Sequence, residues 1–377
     1  MVMLDLSAAF DTIDHEKLLD RLEHHFGITG TPLMWVRSYL TDRYQSVCIN
    51  SETSDPVLLA FGVPQGSVMG PKKYTMYTKP LGAIIQQHGL HYHFYADDTQ
   101  LYLAFKPNDD SVQADAMTKI KACIQDIQIW MVENLLKLND DKTEVMIFHP
   151  KQTHVNDISL SVGDAELSPK ASVRNLGVML DSTLTMCEQV QAICRSGYAQ
   201  LRNIGHIRRY LTTGATKTMV NSLLTSRLDY CNALLHGLPH KTLSKLQVLQ
   251  NTAARIITRT SRHSHITPVL KTLHWLPIKA RLQYKVALYT FKALNGLAPL
   301  YLEQLVQRYA PRRSLRSETS NTLVVQRRKT ATYGDRAFRN SAPVLWNSLP
   351  QEIRQINKLN TFKKALKTHL FRECYDL

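Results

Sequence analysis

Short apolar runs alternate with helical patterns over the first 150 residues, and this alternation stops after Pro150. Alternation of that kind is typical of a mixed domain in which helices pack on a sheet. The clearest element is a predicted helix over residues 109–134, whose apolar residues recur at the spacing of one helical face. Beyond Pro150, two short strand candidates are followed by long helical patterns rich in Lys and Arg. The sequence therefore predicts two parts of different construction.

The other elements are predicted from turn residues and periodicity. Strands are predicted over 2–6, 143–148, 158–162 and 172–180, and hairpins from 44–50 with 56–61 and from 90–95 with 99–105. Helices are predicted over 15–25, from 32, and over 71–87, 190–209, 216–228, 243–258, 282–294 and 361–371, with Asp14 or Thr12 capping the first. Residues 311–329 are predicted to form an extended basic loop.

Charge is divided unevenly at Pro150. Residues 1–150 hold 12 Lys and Arg against 19 Asp and Glu, a balance of −7, whereas residues 151–377 hold 34 against 12, a balance of +22. A basic surface of that size attracts polyanions, of which the phosphate backbone of nucleic acid is the commonest inside cells. The alternative is that this charge only keeps the chain soluble.

Cysteine usage and hydropathy exclude several classes of protein. The six cysteines form no C-x-x-C pair, and none falls with histidines at zinc-finger spacing, so neither a structural zinc site nor a disulfide scaffold is predicted. No apolar stretch approaches the roughly 18 residues of a membrane span, and the N-terminal apolar run is interrupted by Asp5 and lacks a basic flank. We therefore expect a soluble intracellular protein, nuclear or cytoplasmic, without a signal peptide or a membrane partner.

Three segments carry the residues best suited to chemistry. Residues 4–11, L-D-L-S-A-A-F-D, place Asp5 at the end of an apolar strand. Residues 62–67, G-V-P-Q-G-S, form a turn flanked by glycines, which lets backbone approach a ligand closely. Residues 95–98, Y-A-D-D, place Asp97 and Asp98 at the tip of a predicted hairpin. A tight turn there lets at least one of the two carboxylates converge with an acid from a neighbouring strand.

Carboxylates that converge in this way repel each other unless a cation lies between them. Their hard oxygen atoms suit Mg²⁺, which keeps several waters and is normally completed by substrate phosphates. Two such ions about 4 Å apart stabilise the attacking and leaving oxygens of an in-line phosphoryl displacement, the chemistry of polymerases and nucleases. The alternative is that Asp5 and Asp97 are ordinary turn acids.

Five motifs occur in order along the chain: L-D-L-S-A-A-F-D, G-V-P-Q-G-S, Y-A-D-D, N-L-L-K-L-N-D-D-K-T-E and N-L-G-V-M-L-D. Together they resemble the reverse transcriptase of non-LTR, LINE-like retrotransposons. The resemblance covers the palm, residues 1–182, and the basic helical remainder is similar to the thumb and C-terminal region of such elements. It implies an RNA-directed DNA polymerase that adds deoxynucleotides to a DNA 3′-hydroxyl on an RNA template.

The resemblance implies roles for three acids and one lysine. Asp5 and Asp97 match the two metal-binding carboxylates, and Asp98 matches the adjacent acid that helps to hold the site. The implied cofactor is a pair of Mg²⁺ ions, with Mn²⁺ as the alternative. Lys142 matches the cation that approaches the pyrophosphate leaving group, where it would stabilise charge or donate a proton. It could equally be a solvated surface lysine.

The resemblance also implies contacts to the nucleotide and the primer. Phe10, five residues after Asp5, matches the aromatic gate under the sugar that disfavours a 2′-hydroxyl. Taken alone, it could equally be a core residue. Gln65 and Gly66 are implied to lie against the nascent base pair. The implied primer grip consists of Leu176, Gly177 and Val178.

The implied fold class is α+β: a polymerase palm, in which an antiparallel sheet packs on helices, followed by a mainly α-helical basic half. We expect a reverse transcriptase palm over residues 1–182, a thumb-like helical region over 183–260 and a basic helical region over 261–377. The implied partners are an RNA template, a DNA primer and deoxynucleoside triphosphates.

Two departures from the family pattern qualify the expected activity. No basic fingers segment precedes Asp5 in this sequence, and such cations hold the incoming triphosphate, so we expect impaired catalysis by the chain alone. The turn at Gln65 is followed by Lys72 and Lys73, where the family has an apolar helix. Burying either lysine would cost several kcal/mol unless its amine reaches solvent.

Two alternative functions are open to the same sequence. One is a catalytically dead nucleic-acid-binding relic that uses only the basic half of the chain. The other, an unrelated two-metal nuclease, accounts for neither the Gln65 turn nor Phe10.

Overall fold

The computed structural model describes residues 1–7, 10–64, 66–106, 109–150, 159–162, 165–310, 321–327, 330 and 332–376. Contacts within the chain divide it into two compact units. Unit 1 comprises Met1–Arg174 and Asp181–Leu184, and unit 2 comprises Asn175–Leu180 and Thr185–Leu377. Gln65 and most of the predicted basic loop over 311–329 lie outside the described residues.

Strands are concentrated in the first half of the chain. They are β1 (Val2–Leu4), β2 (Leu6–Ser7), β3 (Tyr44–Gln45), β4 (Cys48–Ile49), β5 (Glu52–Thr53), β6 (Val57–Leu58), β7 (His91–Tyr95), β8 (Asp98–Tyr102), β9 (Lys137–Leu138), β10 (Glu144–Val145), β11 (Leu160–Val162), β12 (Ala165–Leu167), β13 (Ser172–Asn175) and β14 (Val178–Asp181).

Helices occur in both units and dominate unit 2. Unit 1 has α1 (His15–His24), α2 (Gly30–Leu40), α3 (Gly70–Thr78), α4 (Leu81–Gln87) and α5 (Asp110–Glu133). Unit 2 has α6 (Cys187–Ile207), α7 (Thr213–Val220), α8 (Ser226–Asp229), α9 (His240–Thr258), α10 (Ile266–Thr272), α11 (Ile278–Leu294), α12 (Leu300–Glu303), α13 (Thr332–Arg336), α14 (Phe338–Ser348), α15 (Gln351–Arg354) and α16 (Leu359–Tyr375).

The main sheet of unit 1 is antiparallel and has the strand order β10-β1-β8-β7. β1 is therefore central, and its Val2 pairs with Leu101 on one side and Val145 on the other. The hairpin of β7 and β8 confirms the hairpin predicted around the second acidic motif. The predicted hairpin over 44–61 is also present, as two short ladders that pair β3 with β6 and β4 with β5.

Several elements predicted as continuous are interrupted in the structure, including the helix predicted over 216–228, which contains the π-helical stretch Asn221–Thr225 between α7 and α8. The first strand breaks at Asp5, because β1 pairs with β8 and β10 whereas β2 pairs with β9. The helix predicted over 71–87 divides into α3 and α4 at Pro80, since proline has no N–H to continue the helical ladder. The strand predicted over 172–180 contains a turn at Leu176 and Gly177, whose φ angles of 45° and 79° lie outside the strand region.

Helix α5 confirms the predicted apolar stripe. It buries Ala116, Ile120, Cys123, Ile124, Ile127 and Met131, and each large apolar side chain so buried stabilises the fold by roughly 1.5–3 kcal/mol. Asp109 caps this helix by accepting hydrogen bonds from the backbone of Ser111 and Val112. Asp14 caps α1 in the same way, with Lys17 N 2.9 Å from its Oδ1.

Arg21 joins three helices in the core of unit 1. Its guanidinium donates to the carbonyl oxygen of Tyr77 and to Oδ1 of Asn134, and it lies 4.4 Å from the ring centroid of Tyr77 and 5.2 Å from that of Trp130. Because these bonds satisfy a buried cation, α1, α3 and α5 are held in one arrangement.

Unit 2 is built from packed helices, as the pattern after Pro150 predicted. Helix α6 packs against α9 through Gly197, where a Cβ would lie 2.7 Å from side-chain atoms of both Leu224 and Leu249. A second cluster centres on Phe362, whose ring lies 4.2 Å from that of Phe291 and 5.8 Å from that of Trp346. The α+β fold class is confirmed.

Within the described ranges, no helix combines the length and apolar character that a bilayer crossing demands.

Candidate active site

The two acidic motifs meet at one end of the central strands. Asp5 directly follows β1, whose last residue, Leu4, pairs with Thr99 of β8. Asp98 directly precedes Thr99 and pairs with Tyr95 across the hairpin. Antiparallel register therefore brings Asp5 and Asp98 to the same edge of the sheet.

Asp97 lies at the tip of that hairpin, after Ala96, whose φ of 53° makes the turn tight. Burial raises the pKa of Asp98, and the negative charges of Asp97 and Asp5 raise it further. The register of β1, β7 and β8, together with the tight turn at Ala96, therefore places the three predicted acids at the same end of the sheet.

Lys142 is the cation beside this cluster. It ends the 3-10 turn Asp140–Lys142, which is anchored where the backbone N–H of Asn139 donates to the carbonyl oxygen of Asp5 at 2.9 Å. The Nζ atom of Lys142 lies 3.4 Å from Oδ2 of Asp5, and the lysine side chain is 69 % exposed. An exposed pair of this kind contributes little to stability, so the lysine is free to move towards a ligand.

Phe10 is half-buried and contacts Tyr74 of α3, with 5.0 Å between ring centroids. Burial raises the pKa of Tyr74, and the charge of Asp97 raises it further, so the tyrosine links Phe10 to the acids. Its hydroxyl is buried without a hydrogen-bond partner. Sequence analysis did not single out Tyr74, although its place in a predicted helix directly after the second motif was an available signal.

The glycine-flanked turn packs against the backbone that follows Phe10. The N–H of Val63 donates to the carbonyl oxygen of Phe10, and that of Gly62 donates to Ile13, both at 2.8 Å. Gly62 has φ 88°, and a Cβ there would lie 2.9 Å from the carbonyl oxygen of Asp11. Glycine is therefore required at this position.

Of the two residues in this turn that are predicted to contact the nucleotide, the structure describes one. Gln65 lies outside the described residues. Gly66 has φ 79°, and a Cβ at this position would meet nothing within 4 Å, so its backbone is accessible.

The predicted primer grip belongs to unit 2. Its turn is held by Tyr230, whose hydroxyl donates to the carbonyl oxygen of Leu176 at 2.7 Å and whose ring lies 3.7 Å from a Cβ built on Gly177. Gly177 is exposed, whereas Val178 is only 4 % exposed and packs in the core of unit 2. Only the turn itself is available to a ligand.

The acids do not form a ready-made metal cage. Among the described residues there is no group of three or more His, Cys, Asp or Glu side chains arranged to hold an ion. The donor set nevertheless fits a hard cation, because Oδ2 of Asp5 is buried with no hydrogen bond and only the ion pair with Lys142, and the carboxylates of Asp97 and Asp98 lie at the same end of the sheet. Mg²⁺ tolerates such an open site, since substrate phosphates complete it.

Comparison with known proteins assigns this half of the chain. Residues 1–180 match the family model described as "Reverse transcriptase (RNA-dependent DNA polymerase)". Residues 1–180 belong to the reverse transcriptase family. The curated relatives of this reverse transcriptase domain include the probable RNA-directed DNA polymerase from transposon BS of Drosophila melanogaster, 26 % identical over 266 residues. The resemblance to LINE-like elements is thereby confirmed.

Other relatives agree with this assignment. The RNA-directed DNA polymerase from mobile element jockey of Drosophila melanogaster is 25 % identical over 266 residues, and both alignments cover 68 % of this chain and 28 % of the relative. The Pol polyprotein from type-1 retrotransposable element R2 of Popillia japonica is 32 % identical over 71 residues, which are 19 % of this chain and 12 % of that protein. The chain thus spans about a quarter of the length of the relatives it matches most extensively.

Among solved structures, telomerase from Candida albicans, determined in complex with a fragment of telomeric RNA, aligns with a TM-score of 0.33 and 13 % identity. The alignment covers 75 % of this chain and 48 % of that chain.

Proposed function

We propose that this chain carries the catalytic palm of an RNA-directed DNA polymerase, which adds deoxynucleotides to the 3′-hydroxyl of a DNA primer on an RNA template. The observation that supports this most directly is the meeting of Asp5, Asp97 and Asp98 at one end of the sheet, with Lys142 beside them. Such substrates place the activity inside the cell, in the nucleus or the cytoplasm.

The three acids are the residues that would hold divalent cations, two Mg²⁺ ions or Mn²⁺ in their place. When bound, such ions stabilise the charge that develops on the attacking and leaving oxygens. Asp5 and Asp97 come from separate stretches of the chain, so their carboxylates can orient substrate from two sides. Asp98, whose pKa is raised by burial and by both neighbours, contributes the charge that makes cation binding favourable.

The chain's own residues would perform the remaining steps. Lys142 Nζ, held 3.4 Å from Asp5, would turn towards the pyrophosphate, stabilise its charge and donate a proton to it. Phe10, supported by the ring of Tyr74, would lie under the sugar and exclude a 2′-hydroxyl. The turn around Gly66 would bring backbone against the nascent base pair.

We also propose the division of labour along the chain: a palm over residues 1–182, a thumb-like region over 183–260 and a basic helical region over 261–377. The turn at Leu176 and Gly177 would hold the primer. Residues 189–302 contain 16 Lys and Arg and a single acid, Asp229, a balance of 16 − 1 = +15. Asp229 pairs with Arg281 at 2.6 Å, and Arg208 is buried with its guanidinium donating to backbone carbonyl oxygens. The excess of exposed cations over acids in this segment would attract phosphates.

That same charge supports a second candidate, a nucleic-acid-binding relic without catalysis. A chain that bound RNA or DNA through residues 189–302 alone would need neither Asp97 nor a metal ion. Binding would weaken steeply with salt in either case, so salt dependence does not separate the two candidates.

Primer extension does separate them. A DNA primer annealed to an RNA template is incubated with the chain, deoxynucleoside triphosphates and Mg²⁺. We expect metal-dependent extension that falls by at least about a hundredfold in Asp97→Asn, because the substitution removes one charge from the cation site while preserving side-chain shape.

Glu23→Gln on α1 is the matched control, since Glu23 is exposed and the change is again acid to amide. It should extend primers like the parent chain. Salt-sensitive retention of RNA on a filter with no extension at any metal concentration would favour the relic. Absence of retention at low salt would exclude both candidates.

A further inference from the structure

A buried lysine and two aromatic rings form a cluster next to the candidate active site. Lys73 of α3 is 2 % exposed, and its Nζ lies 3.3 Å from the ring centroid of Tyr39 and 5.8 Å from that of Trp35. The two rings, both on α2, stack with 6.0 Å between centroids at 17°. We call Trp35, Tyr39, Lys73 and Arg43 the α2–α3 platform.

Every polar group of the platform that lacks a partner is a hydrogen-bond donor. Lys73 Nζ and the hydroxyl of Tyr39 are buried without hydrogen-bond partners. The guanidinium of Arg43 lies 5.2 Å from the Tyr39 ring centroid and donates to the Tyr39 carbonyl oxygen at 3.3 Å. No carboxylate in the described residues is within ion-pair distance of Lys73 or Arg43. The platform therefore presents positive charge without a carboxylate partner, which favours an anionic ligand.

The platform also offers a flat apolar surface. Trp35 is 54 % exposed although it is stacked on Tyr39. An exposed aromatic ring above a cation is a stacking surface for a base, and stacking contributes without regard to base identity. A nucleotide carries both a π-face and an anionic phosphate, and it is the ligand class that the proposed function supplies.

Position on the helix connects the platform to the active site. Lys73 and Tyr74 are consecutive in α3, so their side chains leave the helix about 100° apart. Tyr74 contacts Phe10 and responds to Asp97, whereas Lys73 lies under Tyr39. A strand that reaches the active site can therefore pass over the adjoining side of the same helix.

We propose that the α2–α3 platform binds an unpaired nucleotide of the nucleic-acid strand, with a base stacked on Trp35 and its phosphate attracted by Lys73 and Arg43. Inside a duplex the base faces are covered by neighbouring pairs, so the site favours single strands. Because Lys73 is buried, its charge is screened less by salt than that of a surface lysine. The identity of the ligand rests on the proposed polymerase function, but the binding test does not require activity.

Tryptophan fluorescence provides a local readout. Of the four tryptophans, Trp275 and Trp346 are buried and Trp130 is half-buried, so Trp35 is the one most open to a stacked base. Titration with a 12-nucleotide oligouridylate should quench the emission, and the quenching should disappear in Trp35→Phe. A local signal is needed because the basic residues of unit 2 bind nucleic acid as well.

Two lysine variants test the role of the buried charge. In Lys73→Met the oligonucleotide concentration for half-maximal quenching should rise roughly three- to tenfold. Lys72→Met is the matched control, since Lys72 is the exposed neighbour on the same helix and loses the same charge. It should change this concentration less than twofold. Equal losses in the two variants would overturn the proposal, because the effect would then be one of general charge.

Two further results would also overturn it: quenching that persists unchanged in Trp35→Phe, and a blunt duplex that quenches as well as the single strand. Asp97→Asn separates this proposal from the polymerase assignment, since it should abolish extension and leave quenching intact. Extension without quenching would refute the platform alone. Quenching without extension would refute the polymerase activity alone.

Discussion

Replacing Lys73 by methionine should stabilise the folded protein. The lysine amine is buried against Tyr39 and makes no hydrogen bond, so the charged form loses hydration that nothing fully restores. Methionine has nearly the same length and fills the same space without a charge. The substitution removes the free-energy cost of burying a charged amine and leaves the packing of α3 on α2 intact.

The structure sets the size of the effect. Burial lowers the pKa of Lys73 from its ordinary value of 10.5 to about 8, and the charge of Arg43 contributes in the same direction. At 1.36 kcal/mol for each unit of pKa, the folded state disfavours the charged lysine by about 3 kcal/mol. The contact of the Lys73 amine with the Tyr39 ring offsets roughly 0.5–2 kcal/mol of this cost. We therefore expect Lys73→Met to raise the free energy of unfolding by about 1–3 kcal/mol.

The pH dependence of stability gives an independent check. Because the folded-state pKa of Lys73 lies below the unfolded value, the unfolded chain binds more protons between about pH 8 and pH 10.5. The contribution of this lysine is thus most unfavourable below pH 8 and vanishes as pH rises towards 10.5. The advantage of Lys73→Met over the parent chain should shrink over that interval, whereas Lys72→Met should show no such trend.

The assay is chemical denaturation of the full chain at pH 7 and at pH 9.5, followed by calorimetry. A gain of this size corresponds to a rise in melting temperature of roughly 2 to 12 °C for a unit of this length. A Lys73→Met variant that is less stable than the parent chain at pH 7 would refute the reasoning. So would an advantage that stays constant between the two pH values.

Three other substitutions test the packing. Gly62→Ala should lower the free energy of unfolding by about 2 kcal/mol or more in a denaturant titration, because the residue has φ 88° and a close backbone neighbour. Gly27→Ala, at φ 64° in open space, should lower it by less. On α6, Gly197→Ala should lower the free energy of unfolding by about 1–3 kcal/mol, because the added methyl group overpacks the core. Gly205→Ala on the same helix should raise it by roughly 0.5–1 kcal/mol, because its methyl group would meet nothing within 4 Å. Equal effects of the two substitutions on thermal unfolding would contradict this. Arg21→Met should cost about 3 kcal/mol, since two buried acceptors lose their donor, and unchanged urea unfolding would contradict it.

Periodicity predicted the helices well because burial is what creates the pattern. The stripe over residues 109–134 is the buried face of α5, and the hairpin around Ala96 follows from β-rich runs on either side of two acids. The breaks were missed for a different reason. Whether a strand continues past Asp5 depends on which neighbour it pairs with, and β9, the partner of β2, lies more than a hundred residues away.

The acidic residues could be selected from motif order, whereas their environment could not. Nothing in the sequence shows that Lys142 lies 3.4 Å from Asp5, because the long chain segment between them includes β7, β8 and α5. The motifs do not include Tyr74, and a tyrosine in a predicted helix is usually a core residue; this one is indeed fully buried. Only the approach of Phe10 and Asp97 gives it a place at the site.

Unsatisfied polar atoms in unit 1 connect the active site and the platform. Among the residues that the structure describes there, buried side-chain atoms without a hydrogen-bond partner occur at Asp5, Tyr39, Lys73 and Tyr74. Folded proteins normally satisfy such atoms, and exceptions concentrate where function requires them. Asp5 belongs to the carboxylate site and Tyr74 responds to the charge of Asp97, whereas Tyr39 and Lys73 form the platform, so α3 contributes to both. The buried, unpaired amine of Lys73 destabilises the folded protein, and it lies on the helix that also carries Tyr74 beside the acids. An anionic ligand bound at the platform would offset this cost.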